Sequence, residues 1–444
     1  MTNILVIGAG RSATALIKYV LSEAAANKWF VMVADADLAM AERKVGKHPN
    51  GHATWLDAGN VNDRRNLISR ADVVVSLLPA YLHVEVAMDC LRFNKHLITA
   101  SYLSHDMYKL GEQARDRNLI FMGEMGLDPG IDHMSAMQKI NQIKTGGGSI
   151  KAFRSYTGGL VAPSSDDNPW HYKISWNPGN VVRAGQGTAQ YLDRGRYKYI
   201  PYNRLFSQYK VIDIQGMGPY EVYANRDSLL YRSQYGLDDI PTIIRGTIRH
   251  RGFCDAWNAL VQLGITDDSY PIIDSHRMTY YDLVEAYLPD SAEGRSLRER
   301  VADFLGLSTH SEVLDKMEWL GLFSKRKIRL DQATPAFILQ QLLLDKWALK
   351  PDDRDMIIMQ HEFDYQKDGK DETLISTLVL EGENSMDTAM AKLVGLPMGI
   401  FVKLIMQGKI NTSGVQIPVL EEVYEPVLEE LNSFGVRFQE TVRG

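Results

Sequence analysis

The sequence predicts an α/β protein: a doubly wound parallel sheet comes first, then a mixed α/β domain with an all-helical segment inserted into it. Three observations carry this. Up to about residue 130, short runs rich in Val, Ile and Leu alternate with amphipathic stretches, and continuous apolar runs mark strands buried on both faces. The first of these runs leads straight into a glycine turn. From residue 279 to about 349 strand patterning gives way to helical periodicity, and then two β-rich runs return.

Taken in order, the runs at 4–7, 30–34, 53–56, 72–78, 96–99 and 119–122 read as strands, with helices such as 13–25 and 83–93 between them. The turn Gly8-Ala9-Gly10-Arg11-Ser12-Ala13 fits G-x-G-x-x-[GA] between a strand and a helix, the context that fingerprint requires. Gly8 permits the tight turn, Gly10 lets the backbone approach a pyrophosphate, and Ala13 allows close helix packing. The helix N-terminus, with Arg11 and Ser12, then faces the phosphates. This is the turn of a Rossmann-like dinucleotide site, although a tight turn without a ligand has the same local sequence.

Asp35 ends the second strand, where an acid accepts hydrogen bonds from the adenosine ribose hydroxyls and repels a 2′-phosphate. NAD is therefore expected over NADP. Arg43 and Lys44 argue the other way and are read as the solvated face of the next helix. Asp57 ends the third strand, near the expected adenine. Ser76-Leu77-Leu78-Pro79 ends the fourth, near the nicotinamide half, and Ser101 and Tyr102 end the fifth. Their shared place at strand carboxyl ends, the ligand edge of such sheets, groups them.

The stretch Gly123-Glu124-Met125-Gly126-Leu127-Asp128-Pro129-Gly130-Ile131-Asp132-His133 packs three glycines, a proline, three carboxylates and a histidine between a strand and a helix expected over 134–143. It reads either as a joint between domains or as part of a ligand site. Beyond the flexible Thr145-Gly146-Gly147-Gly148, a strand is expected over 150–156. Asp166 to Trp176 then suits a cleft wall or, equally, an aromatic core anchor. Asn225-Arg226-Asp227 and Arg245-Gly246-Thr247-Ile248-Arg249-His250-Arg251-Gly252 gather four arginines. A guanidinium fork suits carboxylate recognition, and Arg226 and Arg249 are the preferred candidates over scattered surface salt bridges. Phe253, Trp257, Leu260 and Val261 fall on one face of the helix that follows. Helices are expected over 280–288, 296–305, 311–323 and 334–349. Asp368-Gly369 should turn a hairpin between strands over 356–365 and 373–381. A helix over 386–409, interrupted near Gly395 and Pro397, and one over 419–434 close the chain.

Composition narrows the function classes. With 45% hydrophobic residues in 444, a substantial core is expected. A net charge of -6, from 49 basic and 55 acidic residues, with no long basic run, gives no reason to expect a nucleic-acid partner. Two distant cysteines, Cys90 and Cys254, offer neither a disulfide framework nor metal spacing and fit a reducing cytoplasm. No metal is expected. No signal peptide and no uninterrupted apolar span of membrane length is read in the sequence, so no membrane partner is expected.

Five separated motifs, in order, resemble the saccharopine dehydrogenase family, in its glutamate-forming branch. They are Gly126 to Met134, Ser155-Tyr156-Thr157-Gly158-Gly159-Leu160, Asn168-Pro169 through Trp176, Asn225-Arg226-Asp227-Ser228, and Arg245-Gly246-Thr247-Ile248-Arg249. The resemblance implies a homodimeric oxidoreductase of lysine metabolism that oxidises the secondary amine of saccharopine and releases glutamate and 2-aminoadipate 6-semialdehyde. It also implies that Ser101, Tyr102, Asp128, Arg226, Thr247, Ile248 and Arg249 lie against the substrate. Asp128 and Tyr102 are the catalytic candidates, with His133 weaker. Many fungal members end the second strand in a small or basic residue and use NADP; Asp35 departs from that pattern, toward the NAD-using dehydrogenase of lysine catabolism.

The expected domain map puts the Rossmann-like domain at 1–130 and about 386–410. The α/β substrate and dimerisation domain takes 131–270, 351–385 and about 411–444, and the helical insert takes 271–350. Two rival functions stay open: a related dehydrogenase acting on another imine-linked substrate, such as a carboxylated polyamine, and a non-catalytic NAD-binding sensor.

Overall fold

The structure, a computed structural model, describes residues 2–290 and 294–444. The chain forms two compact units. Unit 1 comprises Met1–Ile150, Tyr365–Glu372 and Ser376–Gly444; unit 2 comprises Lys151–Asp364 and Thr373–Ile375.

Unit 1 alternates β1 (Thr2–Ile7), β2 (Trp29–Asp35), β3 (Gly51–Trp55), β4 (Val73–Ser76), β5 (His96–Thr99) and β6 (Ile120–Met122) with α1 (Thr14–Asn27), α2 (Leu38–Val45), α3 (Val61–Arg70) and α4 (His83–Phe93). The sheet order is Gly414–Gln416, β6, β5, β4, β1, β2, β3, every pair parallel. The order reverses between β4 and β1, which opens the ligand crevice of doubly wound sheets at their carboxyl ends. Leu5, Val74, Leu97 and Phe121 pack against Ile68, Val86 and Cys90, all buried. The helices start where the sequence supplies caps: Asp37 accepts from Met40 N (3.1 Å), and Asn60 accepts from Asn62 N (3.0 Å).

The helix Ala389–Met406 runs unbroken through Gly395 and Pro397, against the expected interruption. Close packing explains the glycine, since a Cβ on Gly395 would lie 2.5 Å from Leu16 N on α1; Pro397 is buried as well. This helix is apolar and long enough to cross a membrane, yet 72% of it is buried within the structure. Segments expected elsewhere also join unit 1. Gly414–Gln416 pairs with β6, and the helix Ile131–Thr145 packs on Glu421–Ser433, with Asn141 Nδ2 donating to Tyr424 Oη (2.7 Å). The expected boundaries at 131 and 411 are therefore corrected: both segments belong with the nucleotide sheet, through contacts that no local pattern announces.

Unit 2 contains most of β7 (Ser149–Val161), β8 (Ala189–Asp193), β9 (Arg196–Ile200), β10 (Lys210–Ile214), β11 (Gly218–Ala224), β12 (Thr242–Arg249) and most of β13 (Asp355–Lys367). They run in the order β10, β11, β12, β7, β13, with β8 pairing to both β12 and β9. β12 is parallel to β7 and antiparallel to β11, so this sheet is mixed. The helices Tyr280–Ala286, Leu297–Leu305, Glu312–Leu320 and Pro335–Trp347 begin at Thr279, Ser296, Ser311 and Thr334, each a side-chain cap. They do not form a core of their own. Leu283, Leu314 and Trp347 share one cluster with Trp170, Trp257 and Phe253, so the expected insert is continuous with the rest of unit 2. Beyond β13, Asp368 (φ 51°) and Gly369 (φ 76°) make the expected hairpin turn into β14 (Lys370–Glu381).

Candidate active-site residues and the family of the chain

The chain leaves β1 through Gly8, whose φ of 104° is left-handed. Its N–H donates to Ala34 O (2.8 Å), and a Cβ would press on Leu77 at 3.2 Å. Gly10 differs: it is exposed, and a Cβ there would meet nothing within 4 Å. Packing does not demand glycine at this position, whereas the close approach of a pyrophosphate does. Residues Arg11–Ala13 form a 3-10 turn, and α1 starts at Thr14 rather than at Ala13. Ala13 is buried, Ser12 half-buried and Arg11 exposed, so the residues present fit a dinucleotide's phosphates.

Asp35 stands beside this turn. Its Oδ2 accepts from Ala9 N (2.6 Å) and its Oδ1 from Asp37 N (2.8 Å), which fixes the carboxylate while each oxygen keeps a lone pair for a ribose hydroxyl. Lys44 corrects the sequence reading. Instead of lying on a solvated helix face, its ammonium donates to the Gly10 carbonyl and to Thr14 Oγ1 (3.0 Å). Burial lowers its pKa to about 8, against the opposing charge of Asp35. Arg43 is exposed as expected. Asp57 is exposed and accepts from Gly59 N (2.9 Å) within its own turn. Leu77 and Leu78 are half-buried and Pro79 exposed at the end of β4. Ser76 is fully buried, so its side chain is not open to a ligand; its hydroxyl lies 3.2 Å from His83 Nδ1.

The turn after β6 is tightly fixed. Glu124 N donates to Ser101 O (3.1 Å), Met125 N to Thr99 O (3.0 Å) and Gly126 N to Pro129 O (2.9 Å). Gly130 has φ 148°, and a Cβ would lie 2.0 Å from Gly126 O. From Gly123 to His133 every residue is buried except Asp128. That half-buried carboxylate accepts from Tyr102 Oη (3.0 Å), bringing together the two catalytic candidates. His133 is completely buried, with Nε2 2.9 Å from Glu124 Oε2, so it supports the turn and does not reach a substrate. The other oxygen of Glu124 accepts from Leu103 N (3.1 Å), tying the turn to the Ser101-Tyr102 segment.

In unit 2, the segment expected to lead into a helix is the strand β12, and the helix Phe253–Gln262 follows it. Arg249 is 3% exposed. Its guanidinium donates to Ile248 O (2.9 Å) and lies 5.2, 5.8 and 5.3 Å from the rings of Tyr172, Tyr223 and Phe253. Among the described residues no carboxylate pairs with it, and Nε has no hydrogen-bond partner. Ile248 is fully buried, so only its backbone can serve a ligand; Thr247 is half-buried. Arg226 is exposed with φ 38°, in a turn held by Asp227, which accepts from Leu229 N (2.8 Å). The other motifs are largely structural. Gly158 lets β7 approach β12, since a Cβ would lie 2.6 Å from Ile248 O. Trp170 is a core anchor, and Lys173 is buried between Asp353 (2.7 Å) and Asp167 (2.9 Å).

One residue of interest, His83, escaped the sequence. His83 opens α4, is 4% exposed, and bridges Ser76 to Ser101 Oγ (Nε2 at 3.0 Å). Burial pushes its pKa down to about 4, so it is neutral. A histidine opening a predicted helix carries no signal of this bridge.

The fold and the glycine turn define a dinucleotide-binding α/β protein of the Rossmann type. The profile of the saccharopine dehydrogenase NADP binding domain matches residues 4–122, and that of the saccharopine dehydrogenase C-terminal domain matches 126–436. The chain belongs to the saccharopine dehydrogenase family, and is an oxidoreductase using a nicotinamide cofactor. It is 32% identical to the saccharopine dehydrogenase [NADP(+), L-glutamate-forming] of Schizosaccharomyces pombe, over 100% of this chain and 99% of that one. It is also 32% identical to the alpha-aminoadipic semialdehyde synthase of Arabidopsis thaliana, over 99% of this chain but 45% of that protein. The solved apo saccharopine dehydrogenase (L-Glu forming) of Saccharomyces cerevisiae aligns over 100% of both chains, at 30% identity and TM-score 0.88. The homospermidine synthase of Legionella pneumophila, at 10% identity and TM-score 0.57, shares the fold alone.

Proposed function

We propose that the chain oxidises the secondary amine of saccharopine and releases glutamate and 2-aminoadipate 6-semialdehyde. The observation that carries this reading is Arg249, a buried guanidinium in an aromatic cage with no carboxylate beside it among the described residues. A substrate carboxylate would complete its charge-assisted hydrogen bonds. Saccharopine has three carboxylates, and exposed Arg226 is a second candidate cation. When bound, the dinucleotide accepts a hydride from the ε-carbon of the lysine-derived half. That carbon becomes an imine carbon, water adds to it, and the carbon–nitrogen bond breaks to leave aldehyde and glutamate amine. The substrate nitrogen must lose a proton before the hydride leaves, and the attacking water must lose one afterwards. Asp128 and Tyr102 are suited to hold the amine and pass these protons.

For the cofactor, the relatives whose names state one use NADP(+), and the matched domain is named for it. Asp35 favours NAD, because its carboxylate is fixed beside the turn, where a 2′-phosphate would meet like charge. We take NAD as preferred. The expected result is a higher kcat/KM with NAD, shifting toward NADP in Asp35→Ser. A wild-type preference for NADP would place this chain with its named relatives.

The function is tested by following nicotinamide reduction with saccharopine, with lysine plus 2-oxoglutarate as the control for the lysine-forming reaction. Arg249→Met should raise the KM for saccharopine about 100-fold, the loss of roughly 3 kcal/mol of charge-assisted bonding. No turnover of saccharopine with either cofactor, alongside turnover of another imine-linked amine, would sink the reading.

A further inference from the structure

Ser76, His83 and Ser101 form a chain of side-chain hydrogen bonds across the carboxyl ends of β4 and β5. Ser76 Oγ lies 3.2 Å from His83 Nδ1, and His83 Nε2 lies 3.0 Å from Ser101 Oγ. The three exposures differ: Ser76 is sealed at 0%, His83 is at 4%, and Ser101 is half-buried at the open end.

The direction of these bonds follows from that burial. A hydroxyl proton sealed from water needs an acceptor. Among the described residues, His83 Nδ1 is the hydrogen-bond partner of the Ser76 hydroxyl. Ser76 therefore donates and Nδ1 accepts. A neutral imidazole with an accepting Nδ1 carries its proton on Nε2, which donates to Ser101 Oγ. Burial keeps the ring neutral. The Ser101 oxygen is then already accepting, and its own proton is free to be donated outward.

We propose that His83 is a positioning residue that fixes Ser101 as a hydrogen-bond donor, so that Ser101 takes an ionised carboxylate oxygen of the substrate and not its ammonium group. This deepens the proposed function and rests on its placement of Ser101 against the substrate. With the opposite tautomer, Ser101 would donate inward and offer lone pairs suited to an ammonium. The bridge thus selects substrate chemistry from one residue away.

Two measurements test this. With [15N]histidine-labelled protein, the imidazole signals lost in His83→Gln should show a bare Nδ1 and a protonated Nε2; the reverse tautomer overturns the proposal. If His83→Gln does not fold, Ser76→Ala identifies the same ring by the shift of its Nδ1 signal. In kinetics, His83→Phe puts a phenyl ring in place of the imidazole and loses both bonds, and should raise the KM for saccharopine about tenfold with little change in the KM for the dinucleotide. His83→Gln, whose amide can still donate toward Ser101, should recover most of that loss. Equal rises in both KM values, or no recovery with Gln, count against the positioning role. If wild type fails to oxidise saccharopine, the proposed function falls while the tautomer measurement still decides the direction of the bonds.

Discussion

Arg249 is a buried charge with no countercharge among the described residues, and this separates its effects on binding and on stability. Burying an unpaired cation is costly, and apolar replacement of buried charges is often neutral or stabilising. Arg249→Met should therefore hold or raise the urea midpoint while it weakens substrate binding; a large fall in stability would show that the guanidinium holds the fold together. Two buried histidines contribute to the response to acid. Burial lowers both His83 and His250 to about 4, so the unfolded chain binds protons that the folded one refuses. The stability this gives is complete above about pH 6.5 and is lost as pH falls toward 4, up to about 3 kcal/mol for His83. Urea unfolding at steps between pH 7 and 4 measures the slope, which His83→Phe should reduce. At this scale the sequence was readable wherever chemistry is local. The glycine turn and Asp128 announce themselves by spacing. Lys44 and His83 act through partners distant in sequence, on Gly10 and Ser101, and no window of sequence contains both ends.

Among the elements, the strands of the parallel sheet were legible from their apolar runs, and several strands of unit 2 were not. β9 reads Arg-Tyr-Lys-Tyr-Ile and is exposed except at Ile200, so it has little apolar signal to detect. β12 was hidden because its arginines look like surface residues, yet Arg245 and Arg249 are both buried. Pro397 misled in the other direction: it signals a break, and tertiary packing overrides it. The contact that does so gives a prediction. Gly395→Ala would place a Cβ 2.5 Å from Leu16 N, which is backbone and cannot move aside cheaply. A loss of roughly 2 kcal/mol or more in denaturant unfolding is expected, despite the better helix propensity of alanine.

Across the whole chain, the order of architectures was legible, but the boundaries were not, because unit 1 draws on three separated segments. Dinucleotide binding should protect amides of unit 1 from hydrogen exchange around Gly8–Ala13, Asp35–Lys44 and Ser76–Pro79. Little change is expected at β10 and β11; protection centred there would contradict the placement of the cofactor. The seventh strand of the nucleotide sheet, Gly414–Gln416, has a temporal consequence. During synthesis, the residues that bear the glycine turn leave the ribosome well before the strand that pairs with β6. All of unit 2, through Ile375, is outside before that strand exists. A nascent chain stopped short of Gly414 would carry every cofactor-contacting residue proposed here and still expose the unpaired edge of β6, a target for chaperones and for aggregation.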